Sequence, residues 1–224
     1  MRKFRHILLT LALTLSASVI KAQDNEVGLG IRGGYNAAFG GFGSISVVTR
    51  QNLHKNFRIN AGARYNTMGK TAAEARPTYL YDFDWGRFST EALVNYTNLA
   101  SISSISIGAG AGISGRRIGI KFGYYYRMFG NKAGFIKEPF NIYYELRTEF
   151  LPEVDDWGLQ FLISNSEMLE LERHYQPSFI LQANHYIRQH LGLNMGIGCK
   201  PAGMFNMSAD NYESYLKFGI CYRW

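Results

Sequence analysis

The chain has 224 residues, with 24 Lys and Arg against 17 Asp and Glu and a formal net charge of +7. That length fits one domain. The basic residues are scattered along the chain without a long cluster, which argues against a nucleic-acid partner, and two cysteines are too few for a disulfide scaffold.

Met1 to Ala22 reads as a cleavable export signal: Arg2, Lys3 and Arg5 precede an apolar run from Ile7 to Ile20, and the small residue Ala22 marks the cleavage point. The run is interrupted by Thr10, Thr14, Ser16 and Ser18, which suits a signal better than a spanning helix. Its removal leaves residues 23–224 as a single domain with 20 basic and 17 acidic side chains, a net charge of +3.

The rest of the chain alternates apolar and polar residues, the pattern of strands with two unlike faces. In chain order the expected strands are Val27–Tyr35, Phe42–Thr49, Phe57–Tyr65, Tyr79–Trp85, Phe88–Tyr96 and Ser104–Ile113, followed by Ile118–Tyr126, Phe140–Phe150, Trp157–Ile163, Phe179–Ile187, Leu191–Cys199 and Tyr212–Trp224. Phe140–Phe150 is the clearest: Phe140, Ile142, Tyr144, Leu146, Thr148 and Phe150 share one face, and Asn141, Tyr143, Glu145, Arg147 and Glu149 the other. The count is about twelve, with ten or eight as alternatives. An even count returns both ends of the domain to one side. The connections near Gln51–Asn56, Gly86–Arg87, Ser114–Arg117, Pro152–Asp156 and Arg188–His190 are expected to be short turns on that side. Asn66–Thr78, Gly130–Pro139 and Ser166–Pro177 are expected to be longer loops opposite, and Asn98–Ser101 a short one. Within the last long loop, Glu167–Arg173 reads as a short helical turn.

A soluble sandwich would show the same alternation with its faces reversed, so other features must decide. Rings stand near the ends of the apolar faces, at Tyr35, Tyr65, Tyr79, Tyr96, Tyr124, Trp157, Tyr212, Tyr222 and Trp224, as in the aromatic girdles of a membrane barrel. The polar faces are rich in glycine, which suits a curved, crowded interior. The fold class read from these features is all-β, a closed antiparallel up-and-down transmembrane β-barrel. Parity then places Arg32, Arg58, Arg64, Lys121, Arg127, Arg147, Lys200, Lys217 and Arg223 in the lumen, with Asp82, Asp84, Glu91, Glu145, Glu149 and Glu213. Nine cations facing six carboxylates imply either an interlocked network filling the lumen or a narrow, weakly anion-preferring pore.

Signal, alternating strands and the terminal stretch Lys217-Phe218-Gly219-Ile220-Cys221-Tyr222-Arg223-Trp224 together resemble the small outer-membrane β-barrel proteins of Gram-negative bacteria. The segment Asn184–Gly196 resembles a periplasmic hairpin of that group. The resemblance implies an outer-membrane location, contact with outer-membrane lipid, and delivery by the barrel-assembly machinery through the aromatic terminal strand. It is architectural and transfers no functional residues.

The leading functional expectation is a narrow passive channel or transport component for a small polar or anionic solute. A structural or docking barrel acting through its extracellular loops and a lipid-modifying hydrolase are the alternatives. The hydrolase families carry His, one residue, then Ser on one strand, whereas His54, His174, His185 and His190 are followed two positions later by Asn56, Gln176, Ile187 and Gly192. His185 reads as an interfacial wall residue. Gly28-Leu29-Gly30-Ile31-Arg32-Gly33 has dinucleotide-fingerprint spacing, but no strand precedes it and no helix follows. No cofactor and no metal site are expected. Parity also sends Cys199 outward and Cys221 inward, so no disulfide is expected between them.

Overall fold

A computed structural model of the protein describes residues 25–99, 102–131, 134–151, 157–171, 177–188, 190–201 and 211–224. The expected signal at residues 1–22 lies outside them. Nine strands come first: β1 (Glu26–Asn36), β2 (Gly40–His54), β3 (Phe57–Asn66), β4 (Lys70–Phe83), β5 (Gly86–Leu99), β6 (Ile102–Ser114), β7 (Ile118–Asn131), β8 (Gly134–Glu149) and β9 (Trp157–Ser164). Two short strands, β10 (Ser166–Glu167) and β11 (Glu170–Leu171), pair with each other as a separate hairpin. Three more, β12 (Ser178–Arg188), β13 (Leu191–Pro201) and β14 (Asn211–Arg223), complete the sheet. Twelve strands close into an antiparallel up-and-down barrel in which β1 pairs with both β2 and β14.

Closure gives each of the twelve barrel strands a neighbour on both sides, although β8 meets β9 only along Glu145–Glu149. At the seam Glu26 stands opposite Arg223 and Asn36 opposite Glu213. The Asn25 backbone N–H donates to the Trp224 carbonyl at 3.1 Å, and the Asn25 carbonyl accepts from the Trp224 N–H at 3.0 Å. The barrel end holding these residues is called the terminal end below, the opposite one the far end.

The burial pattern inverts that of a soluble domain. Leu29, Ile31, Ile107, Phe122, Met195, Ile197, Phe218 and Ile220 are exposed on the outer face, while Arg32, Glu74, Arg76, Asn95 and Tyr143 are buried inside. Such an apolar surface, running round the whole barrel, far exceeds the patches a soluble monomer presents to water.

Several expected boundaries are corrected. Asn66–Thr78 is not a loop: β4 begins at Lys70 and pairs with β3 through Thr71 opposite Tyr65. Pro77 lies within it. Ladder pairing with β5 skips from Ala75–Val94 to Thr78–Glu91 without a change of register, as expected where a proline offers no donor. Gly130–Pro139 is likewise mostly strand, because β7 runs to Asn131 and β8 starts at Gly134. The turn between β4 and β5 is Asp84–Trp85 rather than Gly86–Arg87, so Asp84 is an exposed turn residue and not part of the lumen. Glu167–Arg173 contains no helical turn within its described part. It forms the β10–β11 hairpin, whose tip residue Leu169 has φ 68°.

Candidate functional site

The interior is the only enclosed space a twelve-stranded barrel offers, and its wall is made by the alternate residues the pleat turns inward. Arg32, Glu91, Arg127, Lys200 and Glu213 are buried there. Arg58, Arg64, Lys121, Glu145, Arg147, Glu149, Lys217 and Arg223 occupy the same parity and are partly buried. Asp82 shares that parity but lies at the terminal rim, exposed, paired with Arg87.

Two ion networks divide this space. In the first, Arg76 bonds Glu74 at 2.5 Å and lies 3.9 Å from Glu91, while Lys121 bridges Glu91 at 3.1 Å and Glu145 at 3.7 Å. The Asn95 amide donates to Glu74 at 2.7 Å. In the second, Glu213 is held by Arg32, by Lys200 at 3.6 Å and by the Asn36 amide at 2.9 Å, and the Arg32 guanidinium lies 3.4 Å above the Tyr215 ring. At the terminal end Arg223 bonds Glu26 at 2.9 Å and the Tyr186 hydroxyl. Buried carboxylates survive only when paired in this way.

The β10–β11 hairpin folds into the barrel and is clamped there. Arg76 donates to the Ser166 carbonyl at 2.8 Å, Arg127 to the Leu171 carbonyl at 2.5 Å, and Arg64 to the Met168 carbonyl at 3.5 Å. Glu167 accepts from the Tyr215 hydroxyl at 2.9 Å and from Lys217 at 3.0 Å, and the Leu169 amide donates to Glu74 at 3.3 Å. Leu171 packs with Leu93, Tyr125 and Tyr143 of the wall. The hairpin is therefore seated by charge-assisted bonds to its backbone and by apolar contact to its side chains.

Below it, toward the terminal end, lies a chamber of about 380 Å³. Its lining carries seven basic side chains (Arg32, Arg50, Arg58, Arg64, Arg76, Lys121, Lys217) against four carboxylates (Glu26, Glu91, Glu145, Glu167), a surplus of three positive charges. Medium of lower dielectric around such a surplus strengthens its field for an entering anion.

Glu26, Arg50, Glu74, Arg76 and Glu167 were not among the residues that parity placed inside. Glu74 and Arg76 fell in an expected loop, and Glu167 in an expected helical turn. The signal for the first two was present: Ala72, Glu74, Arg76 and Thr78 alternate with Ala73, Ala75 and Pro77, and only the absence of large outer residues hid the strand.

Among the expected girdle residues, Tyr35, Tyr65, Tyr96 and Tyr212 lie toward the far end, and Tyr79, Trp157, Tyr222 and Trp224 toward the terminal end. Tyr124 is different, falling in the middle of β7 on the outer face. At the terminal end Trp157 stacks on His185 at 4.1 Å and Tyr222 on Trp224 at 6.3 Å. His54 and His190 are exposed at strand ends or turns, and His174 lies outside the described residues. Cys199 is exposed, Cys221 is buried, and both are free.

No protein-family model matches the sequence, and no curated protein is similar to it. Solved structures do resemble the fold. A KdgM porin in complex with disordered oligogalacturonate aligns over 87% of this chain and 98% of its own, with TM-score 0.56 and 10% identity. The translocator domain of the autotransporter NalP from Neisseria meningitidis aligns over 100% and 96%, with TM-score 0.57 and 12% identity. An outer-membrane channel from Pseudomonas putida F1 aligns over 92% and 97%, with TM-score 0.55 and 8% identity. At such identities the likeness is one of fold: a closed β-barrel of the kind these outer-membrane proteins adopt.

Proposed function

We propose that the chain is exported behind residues 1–22, inserts as a transmembrane barrel into a bacterial outer membrane, and acts there as a narrow passive channel with a weak preference for anions. The carrying observation is the chamber inside a closed barrel, cationic in balance and capped by an inward hairpin. The apolar outer face suits lipid, and closure satisfies the backbone where no water can. With the terminal end in the periplasm, Trp157, Tyr222 and Trp224 form the inner girdle and the Lys217–Trp224 stretch is available to the assembly machinery. Twelve strands stand between the filled eight-stranded barrel and the open sixteen-stranded pore, so the hairpin sets the width. That a porin and a channel share the fold lends support.

Planar-bilayer recording tests this. The folded protein should conduct in small steps with a reversal potential shifted toward anions in a salt gradient, and replacing residues 166–171 by a Gly-Ser segment of equal length should enlarge the steps. Silence from both proteins would overturn the channel.

A further inference from the structure

All four carboxylates of the chamber are committed elsewhere. Glu26, directly across from Arg50 in register, bonds Arg223; Glu91 and Glu145 share Lys121; Glu167 holds Lys217. Arg50 and Arg58 are left with no ion pair among the described residues, although both line the chamber. The Nε of Arg58 is buried without a hydrogen-bond partner. A buried guanidinium donor without an acceptor costs free energy comparable to a lost charged hydrogen bond, so an acceptor that arrives from solution is favoured there.

The register brings the two arginines together. Arg50 is opposite Asn60 and Arg58 opposite Asn52 on the paired strands β2 and β3, so Arg50 and Arg58 are diagonal neighbours on one face, and Asn60, which also lines the chamber, stands between Arg50 and Arg76 in the sheet. Diagonal pairs of this kind stand roughly 7–8 Å apart at the backbone, within reach of two long side chains meeting on one ligand.

We propose that Arg50 and Arg58, with Asn60 beside them, form a binding site for the oxyanion of a small solute, a phosphate or a carboxylate. The planar fork of each guanidinium matches such an oxyanion with two parallel donors, and two forks supply the charge that the lining carboxylates do not. The chamber volume lies at the lower end of small-molecule sites, which run from roughly 300 to 1,000 Å³. The site rests on the channel reading only for how the solute arrives.

Calorimetric titration of the detergent-solubilised, folded full-length barrel tests it, with inorganic phosphate and acetate added separately to chloride buffer at constant ionic strength. Saturable binding of at least one is expected, and whichever binds tighter identifies the anion class. Arg50→Gln and Arg58→Gln should each weaken it by about tenfold, Arg58→Lys by less, and Lys137→Gln, on the outside of β8, not at all. Retained gel mobility of the folded form checks that each variant folds. Should Arg58→Gln fail that check, Arg50→Gln, whose side chain is exposed at the chamber mouth, decides. Binding of neither anion, or undiminished binding by the folded Gln variants, overturns the site. Conduction without binding removes the site alone; binding without conduction removes the channel alone.

Discussion

The Tyr143 hydroxyl donates to Glu91 Oε1 at 3.1 Å, and its ring reaches that position by lying flat on the barrel wall where Gly110 and Gly123 carry no side chain. A Cβ at either glycine would overlap the ring. Loss of the hydroxyl leaves Glu91 with its two cations, so Tyr143→Phe should cost about 1–3 kcal/mol of unfolding free energy in lipid vesicles. Gly123→Val, which displaces the whole ring, should cost more. Equal stability of Gly123→Val and the wild type in a urea titration would show that the ring does not need this wall.

Arg76 joins β4 to β5 and to the hairpin. Arg76→Met strands the fully buried Glu74 and should destabilise the barrel by about 3–5 kcal/mol, whereas Arg76→Met combined with Glu74→Met should recover much of that loss. A double variant no more stable than the single one would show that the pair contributes as separate residues.

The hairpin makes a prediction about access. In a protein freed of Cys199 and Cys221, thiols placed at Ser166 or Leu171 should react with a water-soluble maleimide far more slowly than one at Phe39 in the far-end turn, because both positions are buried and Phe39 is exposed. Equal rates would place the hairpin outside the lumen.

Side chains on adjacent positions of β14 should respond in opposite ways. Phe218 points outward, so Phe218→Arg should cost about 2–4 kcal/mol in a bilayer. Lys217 points inward to Glu167, so Lys217→Met should loosen the hairpin and raise conductance while the barrel stays folded. The reverse sensitivity would exchange the faces of the strand.

The two cysteines should stay unpaired under oxidation. Cys199 stands opposite Ser214 and Cys221 opposite Gly192, on different faces and at different heights, so the Cβ atoms are far beyond the roughly 4.5 Å a bridge allows. A change in mobility on reduction would contradict that register.

Most strands could be read in the sequence because the period of two survives wherever large apolar residues mark the outer face, as in β8 and β14. It failed where those residues are small. The outer positions of the first half of β4 are Thr71, Ala73, Ala75 and Pro77, which look like a polar loop, and so Glu74 and Arg76 were missed as lumen residues. The hairpin was hidden for another reason: Glu167, Leu169 and Leu171 have no local signal for where they pack, and their conformation is set by Arg64, Arg76 and Arg127 on strands distant in the chain. Arg50 escaped because β2 continues to His54, beyond its expected end.

The seam between β1 and β14 is tied by side chains distant in the chain, Arg223 and Glu26, 197 positions apart, at one end and Arg32 and Glu213 at the other. Since Asn25 and Trp224 are hydrogen-bonded neighbours, the ring of strands has no geometrical beginning. A chain in which Trp224 is joined to Asn25 and the backbone reopened at Asp84–Trp85 would form the same cylinder. What the natural order fixes is dependence: β1 keeps an unpaired edge until β14 is present, so cylinder closure is the pairing of greatest separation along the barrel strands and one that a polypeptide lacking β14 never achieves.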